Sequence, residues 1–480
     1  MSQARFASCL PLPLEQKVLV NIIEKAKDWA LMHGVGMRDK KHFNKDTIQI
    51  APFVLLPSPF PRAEFTKAIE LQPVLNELMH KVAHDDGFLE STLQNALQVD
   101  EFTANLYNIW ITVRNEGISQ SLSLGLFRSD YLMQNADRNA IKQVEFNTIA
   151  SSFGAITSNL PAMSRYILRQ LGHGDLIKNM PENRALSGLC SGITEAFDLF
   201  GVPTAVVLFV VEEVSYNICD QRFHEFYISE TRPEIQIIRK TMNEIYEETE
   251  LNDKKQLIID NKPVAVVYYR SGYEPAQYPS SKEWDARLRV ERSTAIKCPS
   301  IAYQLAGTKK VQQALAVPGV LEKFMGGGNA TERVRDIFTG LYSLDFDENG
   351  ERAVEMALED AERFVLKPQR EGGGNNLYGS DVREALIRMR HSRERAAYIL
   401  MERILPPLVP GYVVRPGAAV PPPITDLVSE LGIFGVIIGT KEKIFYNKQV
   451  GHMLRTKLAD ANEGGVAAGL GALDSPYLID

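Results

Sequence analysis

The chain has 480 residues, more than one hydrophobic core usually serves, so two or three domains, or one unit with large insertions, are expected. Hydrophobic residues make up 45% and charged residues 24%, the balance of an ordinary soluble globular protein, which excludes disordered, collagen-like and coiled-coil chains. A net charge of -7 offers no general positive field to a nucleic acid, so any phosphate chemistry must rest on local clusters of cations.

In chain order, residues 1–14 carry Arg5 and a short apolar patch, but Pro11 and Pro13 interrupt it and no small-residue cleavage pattern follows, which argues against a signal peptide. Val18, Leu19, Ile22, Ile23, Ala26 and Trp29 then recur at helical spacing, with Gly34 placed as a C-terminal cap. Residues 61–117 are poor in glycine and periodic in leucine, alanine and valine, which predicts further helices and little chemistry. Beyond them, β-branched runs at 205–211, 264–269, 364–366 and 433–438 alternate with helical segments, the pattern of an α/β sheet whose ligands collect where strands end. The longest apolar stretch, 204–211, stops at Glu212 and Glu213, far short of the roughly 20 residues that span a bilayer, so no membrane segment is expected. Cys9, Cys190, Cys219 and Cys298 are scattered without CxxC spacing, which fits reduced thiols in a cytoplasmic protein. Prolines at 406–416 and 421–423 bracket a predicted surface loop, and the glycines at 326–328, with no strand leading into them, read as a flexible turn.

The densest chemical signal is RFVLKPQREGGGNNLY at 363–378, a short strand that delivers Lys367 into a glycine loop. Glycines let several backbone N–H groups approach an anion without Cβ obstruction, and the lysine adds a point charge, so together they form a phosphate cradle. The spacing is that of neither a P-loop nor a dinucleotide-binding GxGxxG. Glu371 in the middle of the loop is tolerable beside phosphate chiefly when a divalent cation lies between them. In QVEFNTIASSFG at 143–154, Glu145 and Asn147 share one face if the run is a strand, a reasonable oxygen pair for Mg2+, though a solvated edge strand would look the same. Arg128, Arg270, Lys309, Lys310, Arg455 and Lys457 each stand beside glycines or a strand end. Singly they read as surface charges; repeated in an acidic protein they suggest sites for carboxylates and phosphates. The absence of a nucleophile elbow, HExxH and CxxC disfavours nucleophilic and zinc hydrolysis, leaving ATP-driven activation of a carboxylate.

RSDY at 128–131, EFNT at 145–148, DQR at 220–222, QLAGTKKVQQ at 304–313, the loop at 367–379, SELGIFG at 429–435, LRTK at 454–457 and GGVAAG at 464–469 together resemble the eukaryotic glutathione synthetase family of the ATP-grasp superfamily, over nearly the whole chain. The resemblance implies an ATP-grasp fold in three parts: a helical and ATP-grasp main region at 1–202, completed by 305–335 and 400–480; an inserted α/β substrate-binding domain at 203–304; and a lid with the Gly-rich loop at 336–399. It implies Mg2+ held by Glu145, Asn147 and Glu371. ATP would meet Glu145, Lys309, Lys367, Pro368, Gln369, Arg370, Glu371, Gly372, Gly373, Gly374, Asn375, Asn376, Tyr378, Met401, Glu402, Arg403, Ile404, Glu430, Lys457 and Glu463. The peptide substrate would meet Arg128, Ile149, Ala150, Ser151, Ser152, Ser215, Tyr216, Asn217, Gln221, Arg270, Ser271, Gly272, Tyr273, Arg455, Val466 and Ala467. Arg128, Arg455, Lys309 and Lys367 would do the catalytic work.

The implied reaction joins γ-glutamylcysteine to glycine at the expense of ATP through an acyl phosphate, in a cytoplasmic homodimer with no nucleic-acid or membrane partner. Ala150, Ser215, Tyr216, Arg403 and Glu463 depart from the family's commonest residues, whereas the small Val466-Ala467-Ala468 run looks like that of the glycine-using enzymes. The alternatives are a sibling ligase using β-alanine or serine, and an ATP-binding protein of this fold without turnover.

Overall fold

The structure, a computed structural model, describes residues 4–134, 140–462, 465–466 and 471–480. The opening helix, Gln16–Met32, buries Leu19, Ile22, Ile23, Ala26 and Ala30, close to the predicted stripe, while Val18 at its edge is exposed. Gly34, at φ 69°, then lets Val35 N–H reach Ala30 O at 2.8 Å and Gly34 N–H reach Leu31 O at 3.4 Å, a Schellman termination that needs a left-handed residue. Residues 61–117 form the helices Arg62–Ala83, Asp86–Leu93 and Glu101–Glu116, the last two capped by Asp85 and Asp100 side chains that accept from Phe88 N and Thr103 N.

A mixed sheet runs through the molecule. In its parallel half, Gln236–Lys240, Val206–Val210, Lys262–Tyr269 and Ile296–Cys298 lie side by side, and a single pairing of Lys297 with Ser123 joins them to the strand Ser123–Gln134. The antiparallel half carries Ala140–Asn147, Ser123–Gln134, Thr425–Gly439, Ile444–Leu458 and Gly471–Asp474. The predicted strand at 433–438 is thus the inner part of a 15-residue strand. A separate four-stranded antiparallel sheet, ordered Leu341–Ser343, Tyr398–Glu402, Phe364–Pro368, Leu377–Tyr378, carries the glycine loop and closes its own small core with the helices Glu348–Glu359 and Ser380–Met389.

Between the two proline clusters, residues 417–420 are exposed and form neither helix nor strand, as the sequence predicts, but the first cluster itself is partly paired and buried. Val409–Gly411 pairs with Thr425–Gly439, Val413–Val414 pairs with Phe53–Val54, and Tyr412 and Val414 are buried. Proline is compatible with short edge pairings that do not use its missing N–H, so proline density did not mean irregular backbone here. Residues 326–328 do form a turn, between the helices Val320–Met325 and Asn329–Ile337. All four cysteines are free thiols, and no helix among the described residues is long and apolar enough to cross a membrane.

Helix Arg62–Ala83 lies on the sheet through a buried polar stripe of Gln72, Asn76 and His80. A Cβ at Gly435 would stand 2.3 Å from Asn76 Oδ1, so glycine at that strand position sets how closely the helix approaches. His80 meets Tyr303 Oη at 2.5 Å through Nδ1 and Thr440 O at 2.8 Å through Nε2. Burial first, then neighbouring His84, pushes its pKa down from 6.5 to about 4. A folded pKa below the unfolded one means that the contribution of neutral His80 is complete above pH 6.5 and is lost as pH falls toward 4. The shift corresponds to roughly 3 kcal/mol across that window. His80→Gln should therefore melt below wild type at pH 7, and the gap in Tm should narrow steadily toward pH 4; a gap independent of pH would contradict a neutral buried imidazole.

Candidate active site

Alternation along paired strands places a set of charged side chains on one face of the antiparallel half. Arg128 pairs with Asn147 and Asp130 with Glu145 on one side of Ser123–Gln134, while Asp130 faces Gly432 and Leu132 faces Glu430 on the other. Glu430 in turn pairs with Arg455. Asp130, fully buried, receives Arg128 Nε at 2.6 Å and Nη2 at 2.8 Å, Asn147 Nδ2 at 3.0 Å and Arg455 Nη2 at 3.5 Å. The room for this exists because residue 432 is glycine: a Cβ there would stand 2.8 Å from both Arg128 Cδ and Asp130 Oδ1. Arg455 also donates Nε to Glu430 Oε1 at 3.0 Å.

The strand Ala140–Asn147 shifts register at Asp130/Tyr131, so that Val144 has no partner of its own. Such a bulge leaves a backbone group unpaired in the ladder. Here the Val144 carbonyl accepts from Lys367 Nζ at 2.8 Å. Lys309, at the start of the helix Lys309–Leu315, stands between two carboxylates from different elements, 3.2 Å from Glu145 Oε2 and 2.8 Å from Glu371 Oε1. Neighbouring Lys310 is spent elsewhere, on Ser343 Oγ at 2.7 Å and Asp345 Oδ2 at 2.6 Å.

Burial would raise the Glu145 pKa, but Lys309, Lys367, Arg455 and Arg128 outweigh it and hold the carboxylate well below its usual range. Glu371 is pushed up by burial, and by neighbouring Glu145, despite Lys309. Lys309 is held above the ordinary lysine range because its two carboxylates outweigh burial, whereas burial lowers Lys367.

The neighbouring wall is organised by Asp220. Its carboxylate accepts from Phe153 N and Ala155 N, both at 2.9 Å, and so caps the helix Gly154–Gln170 from a different helix. It also receives Arg270 Nη2 at 3.1 Å, while Arg270 donates to Ser151 O at 3.1 Å and Ser152 Oγ at 2.9 Å. The segment 149–152 is thereby pinned, with Ala150 at φ 51°. Three buried polar atoms here, Ser151 Oγ, Asn217 Oδ1 and Arg270 Nε, have no hydrogen-bond partner among the described residues.

These elements enclose a cavity of about 210 Å³. Of the residues singled out in the sequence, its wall contains Arg128, Glu145, Asn147, Ile149, Ala150, Ser151, Ser152, Tyr216, Asn217, Gln221, Arg270, Tyr273, Lys367, Glu371, Gly372, Gly373, Asn376, Tyr378, Glu430, Arg455, Lys457 and Val466. The structure does not bring Pro368, Gln369, Arg370, Gly374, Asn375, Met401, Glu402, Arg403, Ile404, Ser215, Ser271 or Gly272 into that wall, and Lys309 stands behind it, reaching the cavity through the lining carboxylates Glu145 and Glu371. Gln369 accepts from Lys310 N at 3.0 Å, Arg370 pairs with Asp100, Glu402 pairs with Arg363, Arg403 lies 3.5 Å from Glu362, and Ser215 Oγ donates to Glu212 O at 3.1 Å. Glu463 and Ala467 lie outside the described residues. Asp130, Gly432, Val144, Asp220 and Glu212 carry no assigned role in the sequence; the first four lie inside the motifs RSDY, SELGIFG, QVEFNTIASSFG and DQR, and Glu212 ends the apolar stretch 204–211, but none of these signals marks them as site residues.

A glycine loop carried on its own small sheet, facing a cation-rich cavity on the main sheet, is the division of labour of an ATP-grasp ligase, which activates a carboxylate with ATP and couples it to an amine. Residues 16–478 match the family model described as eukaryotic glutathione synthase, ATP binding domain. The chain is 43% identical to the glutathione synthetase of Xenopus laevis and 44% identical to that of Homo sapiens, in each case over 97% of this chain and 98% of the relative. It is 38% identical to the chloroplastic glutathione synthetase of Arabidopsis thaliana, over 97% of this chain and 86% of the relative. Among solved structures, a glutathione synthetase like-effector from Globodera pallida, in apo form, superposes with a TM-score of 0.78 at 26% identity, covering 97% of this chain and 98% of that one. The chain belongs to the eukaryotic glutathione synthase family, an ATP-dependent ligase class.

If Asp130 holds both arginines, Asp130→Asn should lower kcat about a hundredfold through misplacement of the groups that meet substrate and cost roughly 3 kcal/mol of stability. Steady-state kinetics with thermal denaturation will test this, and an unchanged kcat would refute the positioning role.

Proposed function

We propose that the cavity binds the triphosphate of ATP between Lys309, Lys367 and the loop at 367–376, and the peptide substrate against Arg128, Arg455 and the segment 149–152. The observation that carries this is the convergence of Lys309 with Glu145 and Glu371 at 3.2 and 2.8 Å, directly beneath the glycine loop. The division into a main region, an inserted substrate domain at 203–304 and a lid at 336–399 goes with this reading; the separate core of the four-stranded sheet supports the last part.

The carboxylates of Glu145 and Glu371 and the amide of Asn147 form an oxygen donor set of the kind Mg2+ prefers. Asn147 Nδ2 is engaged by Asp130 and by Arg128 O, at 3.0 and 3.3 Å, which leaves the amide oxygen as the atom to offer a cation. Bound there, Mg2+ would neutralise charge on the ATP phosphates. The raised Glu371 pKa fits a carboxylate whose counter-charge is incomplete without such a cation.

The cysteinyl carboxylate of γ-glutamylcysteine attacks the γ-phosphorus of ATP, and ADP leaves. The amine of glycine then attacks the carbonyl of the acyl phosphate, loses a proton, and expels phosphate to form the amide. Lys309 and Lys367 offset the triphosphate charge, while Arg128 and Arg455 hold the carboxylate and the tetrahedral oxyanion. Water would hydrolyse the acyl phosphate, so a cover over the site has a chemical purpose. Gly372, at φ 96°, brings the loop against Tyr273, 3.5 Å from where its Cβ would be.

A homodimer goes with this reading; the exposed apolar side chains Met32, Ile48 and Phe226 belong to elements around the strand Gly36–Met37, which packs on the helix Ile218–Thr231. Four free thiols fit a reducing compartment such as the cytoplasm.

Phosphate release should require γ-glutamylcysteine and glycine together, with β-alanine and serine replacing glycine poorly; release with ATP alone would contradict the ligase mechanism. Arg455→Ala should lower kcat by about two to three orders of magnitude, and near-normal turnover would remove Arg455 from the oxyanion role. Gly372→Val should impair kcat and ATP affinity more than Tm; a lowered Tm with unchanged kcat would make the glycine merely structural.

A further inference from the structure

γ-Glutamylcysteine is zwitterionic at the end remote from the reaction, where an α-ammonium and an α-carboxylate share one carbon, so a site specific for it needs a negative charge as well as a positive one. The cavity wall contains four carboxylates among the described residues, Glu145, Glu212, Glu371 and Glu430. Glu145 and Glu371 are paired with Lys309, and Glu430 with Arg455. Asp220 is spent on helix N–H groups and Arg270, and Glu225 on Arg239 and Arg222.

Glu212 is therefore the one carboxylate of the described wall with no lysine or arginine ion pair. It lies just past the strand Val206–Val210, where strand ends deliver side chains to ligands in α/β sheets. Its Oε1 is held by Gln277 Nε2 at 2.9 Å, and the same Gln277 side chain, through Oε1, accepts Gly272 N at 2.6 Å and Tyr273 N at 2.9 Å. The carboxylate is thus anchored to the turn that follows Arg270, at the end of the cavity that also carries Tyr216 and Asn217. Neighbouring Ser215 offers no charge.

We propose that Glu212 binds the α-ammonium group of the γ-glutamyl moiety and selects the peptide substrate by that charge. The assignment rests on the substrate reading given above. Burial raises the Glu212 pKa, as expected of a carboxylate whose cationic partner arrives with the ligand, with Gln277, Lys40 and Arg270 pulling in the other direction and Glu274 adding to the rise.

The experiment compares γ-glutamylcysteine with glutarylcysteine, which lacks only the α-amino group, in the full-length wild type, Glu212→Gln and Glu212→Asp. Glu212→Gln should raise KM for γ-glutamylcysteine about ten- to a hundredfold, as expected for losing a hydrogen bond to a charged group. Its KM for glutarylcysteine, its KM for ATP and its kcat should stay unchanged. Glu212→Asp, which keeps the charge, should lose less. An equal rise in KM for both peptides, or no rise for γ-glutamylcysteine, would overturn the assignment of Glu212 alone. Wild type that released no phosphate with γ-glutamylcysteine and glycine would instead overturn the substrate reading itself. Because the two peptides are compared in the same preparation, partial unfolding of a variant cannot mimic the predicted selectivity.

Discussion

Asp130 is the residue on which the site's electrostatics depend. Three donor side chains, Arg128, Asn147 and Arg455, converge on one fully buried carboxylate. Burying an isolated charge costs far more than any single contact returns, so each group is tolerable only because the others are in place. Gly432 makes the arrangement possible by leaving the neighbouring strand without a Cβ where Arg128 and Asp130 meet. With Asp130 balanced by two arginines, positive charge remains for Glu145, and its carboxylate stays ionised in the interior. A network of this kind is rigid as well as charged, since moving one member leaves another unpaired.

Backbone irregularity does comparable work at two other places. The bulge at Val144 releases a carbonyl that orients Lys367, tying the strand from the small sheet to the main one. Asp220, reaching from the helix Ile218–Thr231, caps the helix Gly154–Gln170 and grips Arg270. Because Asp220 occupies Phe153 N and Ala155 N, the start of that helix is already satisfied. The polar atoms left over belong instead to 151, 217 and 270, and their lack of partners marks where a polar ligand would complete the wall.

The sequence carried whatever is local. Glu145 and Asn147 stand two apart on a strand, Lys367 feeds a glycine loop, and the helix at 16–32 follows its apolar spacing, because each depends on neighbours in the chain. Cross-strand facts were invisible. Nothing in SELGIFG says that its first glycine faces an arginine–aspartate pair on another strand. Lys309 and Lys310 look alike in sequence, yet one faces Glu145 and Glu371 while the other anchors Asp345. The pairing inside the first proline cluster is invisible for the same reason, since short edge pairings are decided by partners far away, here Phe53–Val54 and Thr425–Gly439. The polar stripe Gln72, Asn76 and His80 is i, i+4 spaced, but polarity on a helix ordinarily means solvent, and only Gly435 and Thr440 on the sheet show why it is inside.

Polar contacts join the unit bearing the glycine loop to the rest at four places: Lys309 with Glu371, Lys367 with Val144 O, Lys310 with Asp345, and Arg370 with Asp100. Leu344, Val354, Leu366, Leu386 and Leu400 close its own core, while Val365, Ile399 and Met401 alternate with them and are buried on the other face of the small sheet. Lys309, Lys310 and Lys367 are buried, so losing one of these contacts without a replacement would leave a buried charge unpaired. Two of these four contacts use Lys309 and Lys367, the same lysines assigned to the triphosphate. Nucleotide binding would therefore replace contacts that hold the loop down with contacts that reach it through phosphate. Under the proposed reading, that exchange would couple the position of the loop to the nucleotide whose reactive product needs shelter from water.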